Sequence, residues 1–162
     1  MRLDYVRRWE DVELLPGSLE ALARLTAAGY DLVVLTNQSA IGRRLVTRAV
    51  VDEINRRLAE AAEQLGGRIR AFLVCPHAPA DDCDCRKPRP GLLLRAQDEL
   101  GIDLSRAVMI GDQLSDVAAA RAAGCPAILV DPERADSGRP TESGVRLART
   151  LGEAADMILR ES

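Results

Sequence analysis

The chain has 162 residues, 47% of them apolar and 29% charged, with a formal net charge of -3, which suits one domain with a substantial core. Mild acidity and an aromatic content of 2% exclude the basic field and stacking side chains of a nucleic-acid binder. No apolar run reaches the ~20 residues of a membrane-spanning helix.

The predicted elements alternate between helix and strand. Pro16 and Gly17 open a helix over residues 17–28, with Leu19, Leu22, Ala23 and Leu25 at helical spacing. Residues 31–35 read as a buried strand. Thr47 caps a helix to residue 65, whose Val51, Ile54, Leu58, Ala61, Ala62 and Leu65 form one apolar stripe. Strands follow at 69–75, 107–110 and 127–130, helices at 91–100, 114–123 and 151–159, and a polar loop at 131–144. Continuous apolar strands between amphipathic helices predict an α/β fold, a parallel sheet with helices on both faces. No repeat or low-complexity segment interrupts residues 1–162, so a single domain is expected. Ligands of such sheets bind beyond the carboxyl ends of the strands.

One segment concentrates metal-binding chemistry. Cys75, His77, Cys83 and Cys85 hold three of the four cysteines and the sole histidine within eleven residues. Four such ligands on a short loop suit a tetrahedral zinc ion, and a full protein shell makes the site structural rather than catalytic. Two disulfides are the rival reading. No secretory signal opens the sequence, so a reduced, cytoplasmic setting is expected. Cys125 reads as an ordinary buried thiol.

Polar residues follow three strand ends. Thr36, Asn37, Gln38 and Ser39 come after the first strand, Arg86 and Lys87 after the cysteine loop, and Gly111, Asp112, Gln113 and Asp116 after the 107–110 strand. Hydroxyls, two cations and two carboxylates are the parts of a Mg²⁺–phosphate site.

Thr36-Asn-Gln-Ser-Ala-Ile-Gly-Arg43, Cys75-Pro-His-Ala-Pro79, Cys83-Asp-Cys-Arg-Lys-Pro-Arg-Pro-Gly91 and Gly111-Asp-Gln-Leu-Ser-Asp116 resemble the haloacid dehalogenase superfamily. Within it they look like the heptose bisphosphate phosphatase and histidinol-phosphatase group. The resemblance runs over about residues 5–130. It implies a three-layer Rossmann-like fold with a zinc loop and no large cap domain. It also implies a Mg²⁺-dependent phosphatase of a sugar bisphosphate acting through a phosphoaspartate. By position, Thr36 and Lys87 would stabilise the phosphoryl group, and Asn37, Gln38, Ser39 and Arg86 would bind substrate. Asp112 would hold Mg²⁺, Asp116 would support that loop, and Cys75, His77, Cys83 and Cys85 would hold Zn²⁺. A monomer with a small phosphorylated sugar as its only partner is implied, with neither nucleic acid nor membrane.

The family's catalytic Asp-x-Asp-Gly-Thr, nucleophile and general acid–base in one turn, has no counterpart here. Met1-Arg-Leu-Asp4 aligns just after it, and Asp4 reads as a solvated loop carboxylate. The motif and its strand are expected upstream of Met1. That strand is central in the family, between the strands at Leu32 and Val108. Two alternatives stay open: a histidinol-phosphate phosphatase, and an inactive phosphate-binding remnant. Gln113 stands where heptose bisphosphate phosphatases often carry Lys, and Arg44 where this turn often carries Gly.

Overall fold

The computed structural model describes residues 5–137 and 145–161. Two compact units divide the chain, Met1–Cys83 and Asp84–Ser162. Asp4 and positions 138–144 of the polar loop lie outside the described residues.

The first unit holds helix α1 (Ser18–Ala27), strand β1 (Leu32–Asn37), helix α2 (Ser39–Gly42), helix α3 (Arg48–Glu63) and strand β2 (Ile69–Cys75). β1 and β2 run parallel, and the register sets Thr36 opposite Val74 and Asn37 opposite Cys75. The carboxyl end of β1 therefore sits beside the start of the cysteine loop. Thr47 Oγ1 accepts from Val50 N at 3.3 Å and starts α3, using a backbone donor that the helix itself leaves open. α1 and α3 contact each other, and Ala21, Leu25, Val51, Ala62, Leu73 and Val74 are buried.

The second unit holds helix α4 (Gly91–Leu100), strand β3 (Met109–Gly111), helix α5 (Leu114–Ala122), strand β4 (Ala127–Val130), helix α6 (Pro132–Ser137), strand β5 (Arg146–Ala148) and helix α7 (Leu151–Arg160). Its three strands are parallel in the order β3-β4-β5. Leu92, Ile128, Leu129, Ala154 and Ile158 are buried among these elements. Cys125 is a buried thiol, as expected, and burial raises its pKa.

Helices 91–100 and strands 69–75 and 127–130 keep their predicted bounds. Three differences stand out. Ser39–Gly42 is a short helix, not a turn. Part of the expected polar loop is α6, in which Arg134 N donates to Asp131 Oδ1 at 3.0 Å, so the aspartate starts the helix. β5 was not expected. Its three residues carry too short a pattern to read, and its pairing with β4 supplies the stability.

The strands form two sheets rather than one. Among the described residues β1 pairs with β2 and β3 with β4, and no ladder joins β1 to β3.

Candidate active site and metal centre

The cysteine loop keeps its four ligands together. Cys75 Sγ lies 3.6 Å from Cys83 Sγ and 3.7 Å from His77 Nδ1. Ligand atoms of Cys75, His77, Cys83 and Cys85 all fall within 4.8 Å of one another. Sulfurs bound to one tetrahedral zinc at ~2.3 Å stand ~3.8 Å apart, whereas a disulfide needs ~2.05 Å. The spacing fits the metal, and all four cysteines are free. Cys75 and Cys83 stand too far apart here to share a disulfide. Asp81 Oδ2 accepts from Ala78 N at 2.7 Å and closes the short helical turn inside the loop.

Helix α2 leans on the same loop. A Cβ on Gly42 would stand 2.6 Å from Ala78 N and 2.9 Å from the Pro76 carbonyl oxygen. Only glycine permits that approach, because the atoms it would meet are backbone. Gln38 N donates to the Cys75 carbonyl at 2.8 Å. The side-chain amide of Gln38 donates to Thr36 Oγ1 at 3.0 Å. Thr36, Gln38 and the metal loop thus form one connected structure, and Asn37 and Ser39 flank Gln38 at the end of β1 and the start of α2.

The second unit carries the cation and the carboxylates. Lys87 Nζ lies 2.6 Å from Asp116 Oδ1, with side-chain exposures of 11% and 5%. Asp116 is the sole buried charged or polar residue among those described. Its other oxygen accepts from Gln113 N at 3.1 Å, which satisfies a donor at the amino end of α5. Gly111 leaves room for this carboxylate, since a Cβ there would stand 2.4 Å from it. Asp112 is exposed at the end of β3, and Gln113 Nε2 donates to its Oδ2 at 3.4 Å. A solvent-facing carboxylate oxygen is a donor that Mg²⁺ accepts. Arg86 is half-buried beside Lys87, and its carbonyl accepts from Arg89 N at 2.9 Å.

The structure therefore groups the predicted residues in three sets: Thr36 with Gln38, the cluster of Cys75, His77, Cys83 and Cys85, and Lys87 with Asp116, Gln113 and Asp112. Sequence reasoning missed the close packing at Gly42 and Gly111 and the cap role of Asp116. The cap was legible as a polar residue followed at the third position by an acid.

The first unit carries a hydroxyl at the end of β1, and the second pairs an ammonium with a buried carboxylate; phosphate-handling α/β hydrolases use groups of both kinds. The comparisons place the chain more closely. The haloacid dehalogenase-like hydrolase family model matches residues 2–124, and the chain belongs to that family. It is 37% identical over 159 residues to the D-glycero-β-D-manno-heptose-1,7-bisphosphate 7-phosphatase of Pseudomonas aeruginosa, covering 97% of this chain and 89% of that protein. It is 39% identical over 136 residues to the corresponding α-anomer phosphatase of Mycobacterium tuberculosis, covering 78% and 70%. The crystal structure of D,D-heptose 1,7-bisphosphate phosphatase from B. bronchiseptica, complexed with magnesium and phosphate, matches with a TM-score of 0.89 and 35% identity over 98% of this chain and 90% of that one. Among the described residues, no helix is long and apolar enough to cross a membrane.

Proposed function

We propose that the protein is a Mg²⁺-dependent phosphatase that removes the 7-phosphate of a D-glycero-D-manno-heptose 1,7-bisphosphate through a phosphoaspartate. The observation that carries this reading is the buried Lys87–Asp116 pair beside Asp112, on a chain whose relatives act on that sugar. The relatives do not favour the histidinol-phosphate reading or the inactive-remnant reading.

In this account both units belong to one phosphatase domain over residues 1–162, as the continuity of the family match across residue 84 supports. The Thr36 hydroxyl donates to a phosphoryl oxygen, and the Lys87 ammonium neutralises charge that grows on the phosphoryl group. Asp116 holds Lys87 in place. Asn37, Ser39 and Arg86 contact the substrate. Asp112 contributes an oxygen to Mg²⁺, which supplies charge neutralisation at the phosphate. Cys75, His77, Cys83 and Cys85 hold Zn²⁺, which braces the loop on which α2 rests. No Asp-x-Asp-Gly-Thr turn occurs within residues 1–162, so the roles assigned to these residues are those of phosphate and metal binding. The setting is the reduced cytoplasm, the enzyme is a monomer, and its partner is the phosphorylated sugar alone.

The test is competition between the heptose bisphosphate and histidinol phosphate for the protein isolated from its native source. Faster turnover of the heptose bisphosphate supports the assignment. Faster turnover of histidinol phosphate overturns it.

A further inference from the structure

Gln38 and Thr36 are joined through their side chains. The amide of Gln38 donates to Thr36 Oγ1 at 3.0 Å, and the Thr36 hydroxyl has no other side-chain partner among the described residues. A hydroxyl has one hydrogen and two lone pairs. With one lone pair occupied by the amide, the hydrogen is turned away from Gln38 and stays available as a donor. Donation into the oxygen also polarises the O–H bond and makes it a stronger donor.

Gln38 is well fixed for this task. Its N–H donates to Cys75 O at 2.8 Å, and its carbonyl accepts from Ile41 N at 3.0 Å. It stands at the junction of β1 and α2, and α2 is held by the close approach of Gly42 to the Pro76–Ala78 backbone. The anchored backbone limits the ordering cost of a flexible amide side chain, so the donor is preorganised.

We propose that Gln38 is a positioning residue that orients the Thr36 hydroxyl toward a phosphoryl oxygen, rather than a residue that touches the substrate itself. The inference rests on the role given to Thr36 under Proposed function. It assigns the Thr36–Gln38 pair, not two separate contacts, as the unit that recognises phosphate from the first strand end.

The test is a double-mutant cycle on the full chain with inorganic phosphate as the probe, read by titration calorimetry in Mg²⁺. The variants are Thr36→Val, Gln38→Met and both together, each checked for folding by thermal unfolding. Thr36→Val should weaken binding about tenfold or more, as expected for a lost bond to a charged group, and Gln38→Met about three- to tenfold. The double variant should bind as Thr36→Val does, because Gln38 has nothing left to orient. If the Gln38→Met loss instead multiplies that of Thr36→Val, Gln38 contacts phosphate directly and the inference is overturned. If Thr36→Val leaves affinity unchanged, the reading of Thr36 fails and takes the inference with it. Should Gln38→Met not fold, Gln38→Asn serves in the same cycle, since its shorter side chain withdraws the amide.

Discussion

Lys87 and Asp116 make a nearly buried ion pair at 2.6 Å, and Gly111 is the residue that gives the carboxylate its space. The pair links a cation that follows the cysteine loop to the first turn of α5, 29 positions away in sequence. Removing one partner of a buried pair leaves the other charge without compensation. Asp116→Asn should therefore cost about 3–5 kcal/mol of stability. Gly111→Ala, which drives a methyl into the same carboxylate, should cost about 1–3 kcal/mol. Denaturant unfolding checks both; a loss below about 0.5 kcal/mol in Asp116→Asn would show that the pair is not holding the fold.

The sulfur spacing of the cysteine loop leads to a metal-content prediction. The purified chain should carry one zinc per molecule. Cys83→Ser should lose it together with about 3 kcal/mol or more of stability, because metal affinity in such a loop is folding energy. Elemental analysis and thermal unfolding decide the matter. A metal-free chain with an unchanged melting temperature would remove zinc from the account.

Arg44 sits at φ 58°, the left-handed region that costs a residue with a Cβ roughly 1–2 kcal/mol. Glycine takes this region without that cost. Arg44→Gly should stabilise the protein by up to about 1 kcal/mol, the relief of strain being offset in part by the extra freedom of glycine in the unfolded chain. A destabilised Arg44→Gly variant would mean that the arginine makes a contact worth more than its strain.

Helix α3 should resist acid better than its carboxylates would alone. Glu53 accepts from Arg56 at 2.7 and 2.8 Å and from Arg57 at 2.7 Å. These bonds, those from Arg56 first, lower its pKa to about 2. A carboxylate depressed in the folded state stabilises above its ordinary range, and loses that contribution only as pH falls through the folded value. Carboxyl NMR should thus show Glu53 still ionised at pH 3. A midpoint near its ordinary 4.5 would contradict the bonding.

The clustering of Cys75, His77, Cys83 and Cys85 was legible because all four lie on one short stretch, so local spacing carries the information. The parallel strands were legible for a similar reason: 69–75 and 127–130 are apolar runs bounded by Gly, Pro or polar turns. The Lys87–Asp116 pairing was not, because each side chain reads alone as an anion-site cation or a loop acid, and only tertiary structure joins them. The Gln38–Thr36 bond was hidden because an amide two residues after a hydroxyl can turn either way. β5 was invisible because Arg146, Leu147 and Ala148 have no periodicity of their own and depend on β4, sixteen or more residues earlier. α2, four residues long, is shorter than the window over which helical periodicity is read.

The most direct test of the account follows both phosphates of D-glycero-D-manno-heptose 1,7-bisphosphate by ³¹P NMR, with the protein from its native source and Mg²⁺ present. The account predicts that the 7-phosphate is released as inorganic phosphate while the 1-phosphate stays on the sugar, and that chelating Mg²⁺ stops the release. An unchanged spectrum, or loss of the 1-phosphate first, would contradict it.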